Sequence, residues 1–494
     1  MKYDDLLERK EAKQLLLLKK LIFAGGKMRF NDMHVCLNVS KASLETYVSE
    51  LMLQLTRYQK KITLEYDGEW LAVMLVPKFS LKQVERDFYT EAIRYKILIY
   101  LFYHPEFSTV HLAEELGLSE STLFRKIKEL NNYLEEFGMM IWQGRLTGEE
   151  HQIRYFYFQL IWCIDHNFKE ITCDNPHDFI CLLEEKLVTS LCKESVERLH
   201  VWLTVCNQRA LCKNKRYCQL RKLFKPFEMD LMYLNIRQLL KDYTAQNALI
   251  LDDEEAMMQF IFIISMSILS EEDVENYISI RSKYTPTALT DKVILDSILQ
   301  YYAPLTLSKD AQNKMFYHLF QNHPRLYFFK GDIEIHSTSH LWELEESLSS
   351  HSIKKLSNFL LQTAKRHLVK DSSVCTSLDQ LTELKYLSIL MLVDRQINRN
   401  VNIAVDLNMT SLFKEMTIQM IKLQLDSLNG VTCQVYQADT EYDLVITNEQ
   451  DYEYSNSYYV LSELGTSYDI KQLKQLIRKI YSEKYISILT TIYE

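Results

Sequence analysis

The sequence predicts a mainly α, multidomain chain: two winged helix-turn-helix modules first, then a long helical body, then a small α/β domain. Three observations predict it. Glycine (10) and proline (7) are scarce in 494 residues, where average usage would give about 35 and about 25, so few breakers interrupt the helical patterns. A segment near the N-terminus recurs at an offset of 79 residues. Beyond residue 400 the helical spacing gives way to short β-branched runs alternating with helices.

Composition bounds the remaining classes. Hydrophobic residues at 47% and charged residues at 25% describe a globular chain, neither disordered nor fibrous. Met1–Glu11 is highly charged, which is unlike a secretory leader. The apolar stretch Met257–Leu269 falls short of the roughly 20 residues that span a bilayer. Ten cysteines without a leader lead us to expect reduced thiols in the cytoplasm and no membrane attachment. The net charge of -9 is unevenly spread. Cations and carboxylates nearly balance over residues 1–150, whereas residues 401–494 are distinctly acidic. Overall charge therefore neither supports nor excludes a local basic surface.

The repeat is the most informative feature. Asp32–Leu51 (DMHVCLNVSKASLETYVSEL) aligns without gaps on His111–Leu130 (HLAEELGLSESTLFRKIKEL). Leu37/Leu116, Ser40/Ser119, Leu44/Leu123, Glu50/Glu129 and Leu51/Leu130 are identical, against about one chance identity. In the second copy a short helix ends at Leu116, and Gly117 supplies a left-handed turn residue. Asn38 takes that place in the first copy. Ser40 and Ser119 stand where an N-cap belongs. Leu44, Val48 and Leu51, like Leu123, Ile127 and Leu130, fall at i, i+4, i+7 and give the second helix one buried face. Ala113 is small where two helices must approach; His34 replaces it in the first copy.

The flanks complete each module. Leu6–Ala24 and Leu81–Phe102 are long amphipathic stretches suited to a supporting first helix. Ile62–Tyr66 and Trp70–Val76 bracket Asp67-Gly68, a strong hairpin signal, and Met139–Trp142 and Arg145–Thr147 bracket Gln143-Gly144. Both copies are thus winged helix-turn-helix candidates.

In this motif the second helix enters the major groove of double-stranded DNA with its N-terminal residues near the base edges. The second copy offers Ser121, Thr122, Arg125, Lys126 and Lys128 at positions expected to face outward. Arginine can bridge guanine O6 and N7, while Lys, Ser and Thr contact phosphates and set register. The first copy offers Lys41, Ser43, Thr46 and Tyr47, a weaker electrostatic set. Such helices can also serve as protein-contact surfaces, which leaves a scaffold or signalling role as the alternative.

Asp178–Cys192, Ser195–Leu211, Phe227–Tyr243, Glu254–Leu269, Asp291–Tyr302, Lys309–Gln321, Leu341–Val369 and Leu378–Ile397 carry helical spacing or helix-forming residues. Thr285-Pro286-Thr287 is a joint candidate between two halves. At the C-terminus, strands are expected at Val401–Leu407, Thr432–Tyr436, Asp443–Thr447 and Tyr458–Leu461, with helices at Met409–Leu428 and Tyr468–Tyr481. That order suggests a small open α/β sheet.

The segment RLTGEEHQIRYFYFQLIW (Arg145–Trp162), behind paired helix-turn-helices, resembles the Mga/AtxA family of Gram-positive global regulators. The resemblance implies an N-terminal winged module (1–78), an Mga-type helix-turn-helix (79–165), two bundles like PTS regulation domains (166–284 and 285–398) and an EIIB-like domain (399–494). It implies a DNA-binding regulator, an activator of virulence genes, working as a homodimer or higher oligomer. Relatives with such domains are phosphorylated on histidine by the sugar phosphotransferase system, so the phosphocarrier HPr and RNA polymerase are expected partners. His200, His318 and His323 are the phosphohistidine candidates. A true EIIB domain carries a phosphoryl-accepting cysteine after its first strand. Here the loop Asp406–Ser411 has none, which favours self-association over phosphotransfer.

No cofactor, metal or catalytic group is expected. Gly25-Gly26-Lys27 lacks the preceding glycine of a phosphate-binding loop, and no Gly-x-Ser-x-Gly elbow occurs. His336 and His340 stand at i, i+4, but Ser337 occupies the place of the glutamate in an HExxH zinc site. Cys206, Cys212 and Cys218 recur every six residues, which fits no zinc knuckle.

Overall fold

The computed structural model describes residues 1–106, 108–164, 176–187, 189–210, 212–246, 252–302, 307–333, 351–368, 375–396, 401–425, 431–437, 440–449, 457–462, 465–477 and 479–480. The His336/His340 pair lies outside them. The chain forms two compact units, one of residues 1–301 and 312–390, the other of residues 302–311 and 391–494. Among the described residues, no helix is long and apolar enough to cross a membrane.

The first module opens on a 3-10 turn, Tyr3–Leu6, followed by α1 (Arg9–Phe23), β1 (Lys27–Arg29), α2 (Phe30–Leu37), α3 (Lys41–Leu55), β2 (Ile62–Tyr66) and β3 (Trp70–Leu75). Leu15, Leu18 and Leu21 of α1 are buried together with Met33, Leu37, Leu44, Val48 and Leu51. The expected hairpin forms, with Ile62 opposite Leu75 and Tyr66 opposite Leu71. A third strand, β1, joins it and pairs antiparallel with β3. Gly25 and Gly26, at φ +79° and +92°, make the turn that brings it there. A side chain at Gly26 would press on the Val73 carbonyl at 3.1 Å.

The second module comprises α4 (Leu81–Glu91), α5 (Ile93–Tyr103), α6 (Thr109–Glu115), α7 (Glu120–Leu134), β4 (Met140–Trp142) and β5 (Arg145–Thr147). The long helix expected over Leu81–Phe102 is two helices. Ala92, fully buried with ψ 134°, leaves the helical conformation and redirects the chain. No proline or glycine marks the bend. Ala92 and Tyr89 are both buried at this corner, where the Tyr89 hydroxyl donates to Asp4 Oδ1 (3.1 Å) from the N-terminal segment.

The helical body begins with α8 (Glu150–Ile164), and continues through α9 (Pro176–Leu187), α10 (Lys193–Ala210), α11 (Cys218–Phe224), α12 (Leu231–Gln246), α13 (Asp253–Ser265), α14 (Glu271–Ile280), α15 (Pro286–Tyr302), α16 (Lys309–Phe328), α17 (His351–His367) and α18 (Ser377–Gln396). Helices α11 and α14 were not expected from spacing alone. Thr285-Pro286-Thr287 opens α15. Pro286 holds its first position, where no N–H is needed, and Thr285 Oγ1 accepts from the Ala288 N–H (3.3 Å).

Helix α8 is buried on nearly every side. Its charged residues survive there because they are paired. Arg154 grips Glu255 of α13 with two hydrogen bonds (2.6 and 2.7 Å) and donates to Glu150 (3.0 Å). Arg209 of α10 donates to the same Glu150 (2.7 and 3.1 Å). Two cations and two carboxylates thus join three helices at one buried point.

In the other unit, β6 (Val401–Asp406), α19 (Ser411–Leu425), β7 (Val431–Val435), β8 (Leu444–Thr447) and β9 (Tyr458–Val460) are followed by a helix over 467–477. The strands form a parallel sheet in the order β7-β6-β8-β9, the open α/β sheet expected. Ile403, Val405, Leu444 and Ile446 pack with Ile418, Ile421, Leu473 and Ile477 of the helices. The loops after β6 and β8 are tied by amides: the Asn408 N–H donates to Asn448 Oδ1 (2.8 Å).

Candidate nucleic-acid interface

Helix α7 is built to present one face. Gly117 turns the chain at φ +63°, and Ser119 Oγ accepts from the Thr122 N–H (3.3 Å), satisfying an orphan donor of the first turn. Leu123, Ile127, Leu130 and Leu134 are buried. Opposite them Ser121, Arg125 and Lys128 are exposed, with Thr122 half-buried at the edge. The Ser121 and Thr122 hydroxyls lie 3.1 and 2.9 Å from Ser119 Oγ.

Lys126 corrects the expectation. It is buried, not outward-facing. Its Nζ meets Glu8 Oε1 at 2.5 Å and Glu129 Oε2 at 3.5 Å. Position 126 is three residues beyond Leu123 and four before Leu130, on the shoulder of the buried stripe, and the N-terminal segment packs over it. Arg94 of α5 completes the cluster. It donates to the carbonyls of Asp5 (3.0 Å) and Leu7 (2.6 Å) and to Glu129 (2.5 Å). The hydrogen bond from Arg94 holds the Glu129 carboxyl below the usual range. Lys126 thus locks the recognition helix to the segment that leads into the first module.

Helix α3 repeats the scaffold. Asn38 adopts φ 50°, ψ 56°, Ser40 Oγ accepts from the Ser43 N–H (3.2 Å), and Leu44, Val48 and Leu51 are buried. Of the residues singled out there, Lys41 and Thr46 are exposed, and Ser43 and Tyr47 are half-buried. Thr46 Oγ1 donates back to the Ala42 carbonyl (3.0 Å). The positions equivalent to Phe124, Arg125 and Lys128 are the exposed Glu45, Thr46 and Ser49. This face carries hydroxyls where α7 carries Arg125 and Lys128, and a carboxylate in the place of Phe124.

Both wings add residues that a helix-centred reading missed. Lys27 Nζ and the Arg29 guanidinium lie 4.8 and 5.1 Å from the centre of the Trp70 ring. The alternation Lys-Met-Arg was the available signal, since period two puts both cations on one face of a strand. In the second wing Trp142 is exposed, and Asn131 of α7 fixes the hairpin by bonding both the N–H and the C=O of Ile141 (2.7 and 3.0 Å). Arg145 pairs with Glu106 (3.0 Å). Phe124 on α7 itself is also exposed.

This geometry coincides with a family match. Residues 77–161 match the Mga helix-turn-helix domain. The matched segment runs from just before α4 to within α8, so the charged cluster of Glu150 and Arg154 lies inside it, while Arg209 and Glu255 reach it from the body. Among curated proteins, none matches the chain.

The three histidines are placed differently. His200 of α10 is half-buried and His318 of α16 is exposed. His323 is fully buried. Its Nδ1 is hydrogen-bonded to Asp291, which also pairs with Arg281 (2.7 Å), and its Nε2 to the Tyr386 hydroxyl (2.7 Å). With both ring nitrogens engaged in the core, His323 is not open to a phosphoryl donor in this conformation. Sequence spacing could not separate it from His318, five residues earlier on the same helix.

Proposed function

We propose that this chain is a transcription regulator that binds double-stranded DNA, with α7 of the Mga domain as its main contact helix. The observation that carries the reading is the exposed row Ser121, Arg125 and Lys128 on a capped helix whose opposite face is sealed in the core. Arg125 is suited to a guanine edge, and Lys128 with the hydroxyls to phosphates. The test is duplex binding by the full-length chain across a salt series, beside an Arg125→Ala/Lys128→Ala variant. A steep slope that flattens in the variant supports the reading. No wild-type binding at low salt would sink it in favour of a scaffold using its winged helices for protein contacts.

Two regulatory features belong to the same proposal. Histidine phosphorylation by the phosphotransferase phosphocarrier would fall on His200 or His318, adding negative charge at a helix surface. Self-association would use the C-terminal unit, where Leu412, Phe413, Met416, Met420 and Leu423 make an exposed apolar stripe on α19. An activating role through RNA polymerase rests on the family resemblance.

A further inference from the structure

We infer that Phe124 is a specificity residue that reads thymine methyl groups in the major groove. The inference rests on the DNA-binding reading of α7 and assigns that helix one component of its sequence preference.

Phe124 lies in the second turn of α7, the part of a recognition helix that lies nearest the base edges. It is 54% exposed, while Leu123 beside it is fully buried. The hydrophobic stripe of α7 is complete without it, through Leu123, Ile127, Leu130 and Leu134. Its helical neighbours at i−3, i+1 and i+4 are Ser121, Arg125 and Lys128, all exposed. One aromatic ring set among phosphate- and guanine-binding groups is a poor centre for a protein interface, which needs a contiguous apolar patch. It is a good partner for an isolated apolar group on an otherwise polar surface. The major groove offers one such group, the C5-methyl of thymine. Glu120, at i−4, occupies the first turn and faces the positive end of the helix. The equivalent position in the first module is Glu45, so only the second module carries this reader.

The test starts by selecting a binding site. The tightest duplex is taken by full-length wild type from a random-sequence pool, then synthesised in two forms, with thymidine or with deoxyuridine. Deoxyuridine lacks only the methyl group. Wild type should bind the uracil form about fourfold more weakly for each thymine contacted, the worth of one buried methyl group. Phe124→Ala should bind the thymine form more weakly and lose the discrimination. Arg125→Ala should weaken both forms and keep it. Equal wild-type binding to the two forms overturns the assignment. So does discrimination that persists in Phe124→Ala, because the preference would then come from DNA shape. Failure to bind either form would instead overturn the DNA-binding reading on which the inference rests.

Discussion

The two winged modules are built alike and dressed differently. Each has a left-handed residue before a serine cap, then three aliphatic side chains buried at i, i+4, i+7. Yet the outward row of α7 reads Ser121, Phe124, Arg125 and Lys128, and that of α3 reads Ala42, Glu45, Thr46 and Ser49. Scaffold residues answer to packing, which both copies share. Surface residues are free of that constraint, and here they differ. The first module has Lys41 at the start of α3 and two further cations on its wing, where Lys27 and Arg29 lie over Trp70. The modules also differ in anchorage. The second module sends α8 into the body and is fastened there by buried charges.

That anchorage gives the largest expected effect. Arg154→Ala leaves Glu150 and Glu255 short of a buried partner and should cost about 3–5 kcal/mol in denaturant unfolding. A loss below about 1 kcal/mol would mean that the cluster is wetter than its geometry implies. Next comes the comparison of contact helices. Arg125→Ala and Lys128→Ala should each weaken duplex binding by about 1–3 kcal/mol, with a lower salt slope where a phosphate contact is lost. Lys41→Ala and Thr46→Ala should do less. Equal losses in both modules would break the asymmetry.

Lys126 sharpens the comparison further. Lys126→Met should lower thermal stability by about 1–3 kcal/mol, since Glu8 loses a close charged partner, while the salt slope of duplex binding stays as in wild type. A slope reduced by one phosphate would restore Lys126 to the DNA face. The smallest effect tests what the modules share. Ser40→Ala and Ser119→Ala should each cost about 1 kcal/mol, and unfolding curves that differ strongly between them would show that only one cap matters.

Much of this was legible in the sequence. The repeat, its serine caps, the left-handed Asn38 and Gly117, both hairpins and the αβ alternation after residue 400 are all found where spacing put them. Of the DNA-facing residues proposed on α7, Ser121, Arg125 and Lys128 are exposed, Thr122 lies at the edge, and Lys126 does not face outward. In the sequence an apolar residue near an apolar stripe passes for core, so only the structure places Phe124 outward.

What the sequence determined by itself is local. A cap is one hydrogen bond across three residues, a turn is one backbone dihedral, and a helix face repeats every 3.6 positions. None of these needs distant partners. The tertiary structure decided the rest: that Ala92 bends the supporting helix, that β1 completes the first wing, that Glu8 and Arg94 turn Lys126 into a clamp, and that Asp291 and Tyr386 enclose His323. In each case the deciding contact comes from residues far away in the chain, and periodicity carries no record of which element will arrive to cover a given face.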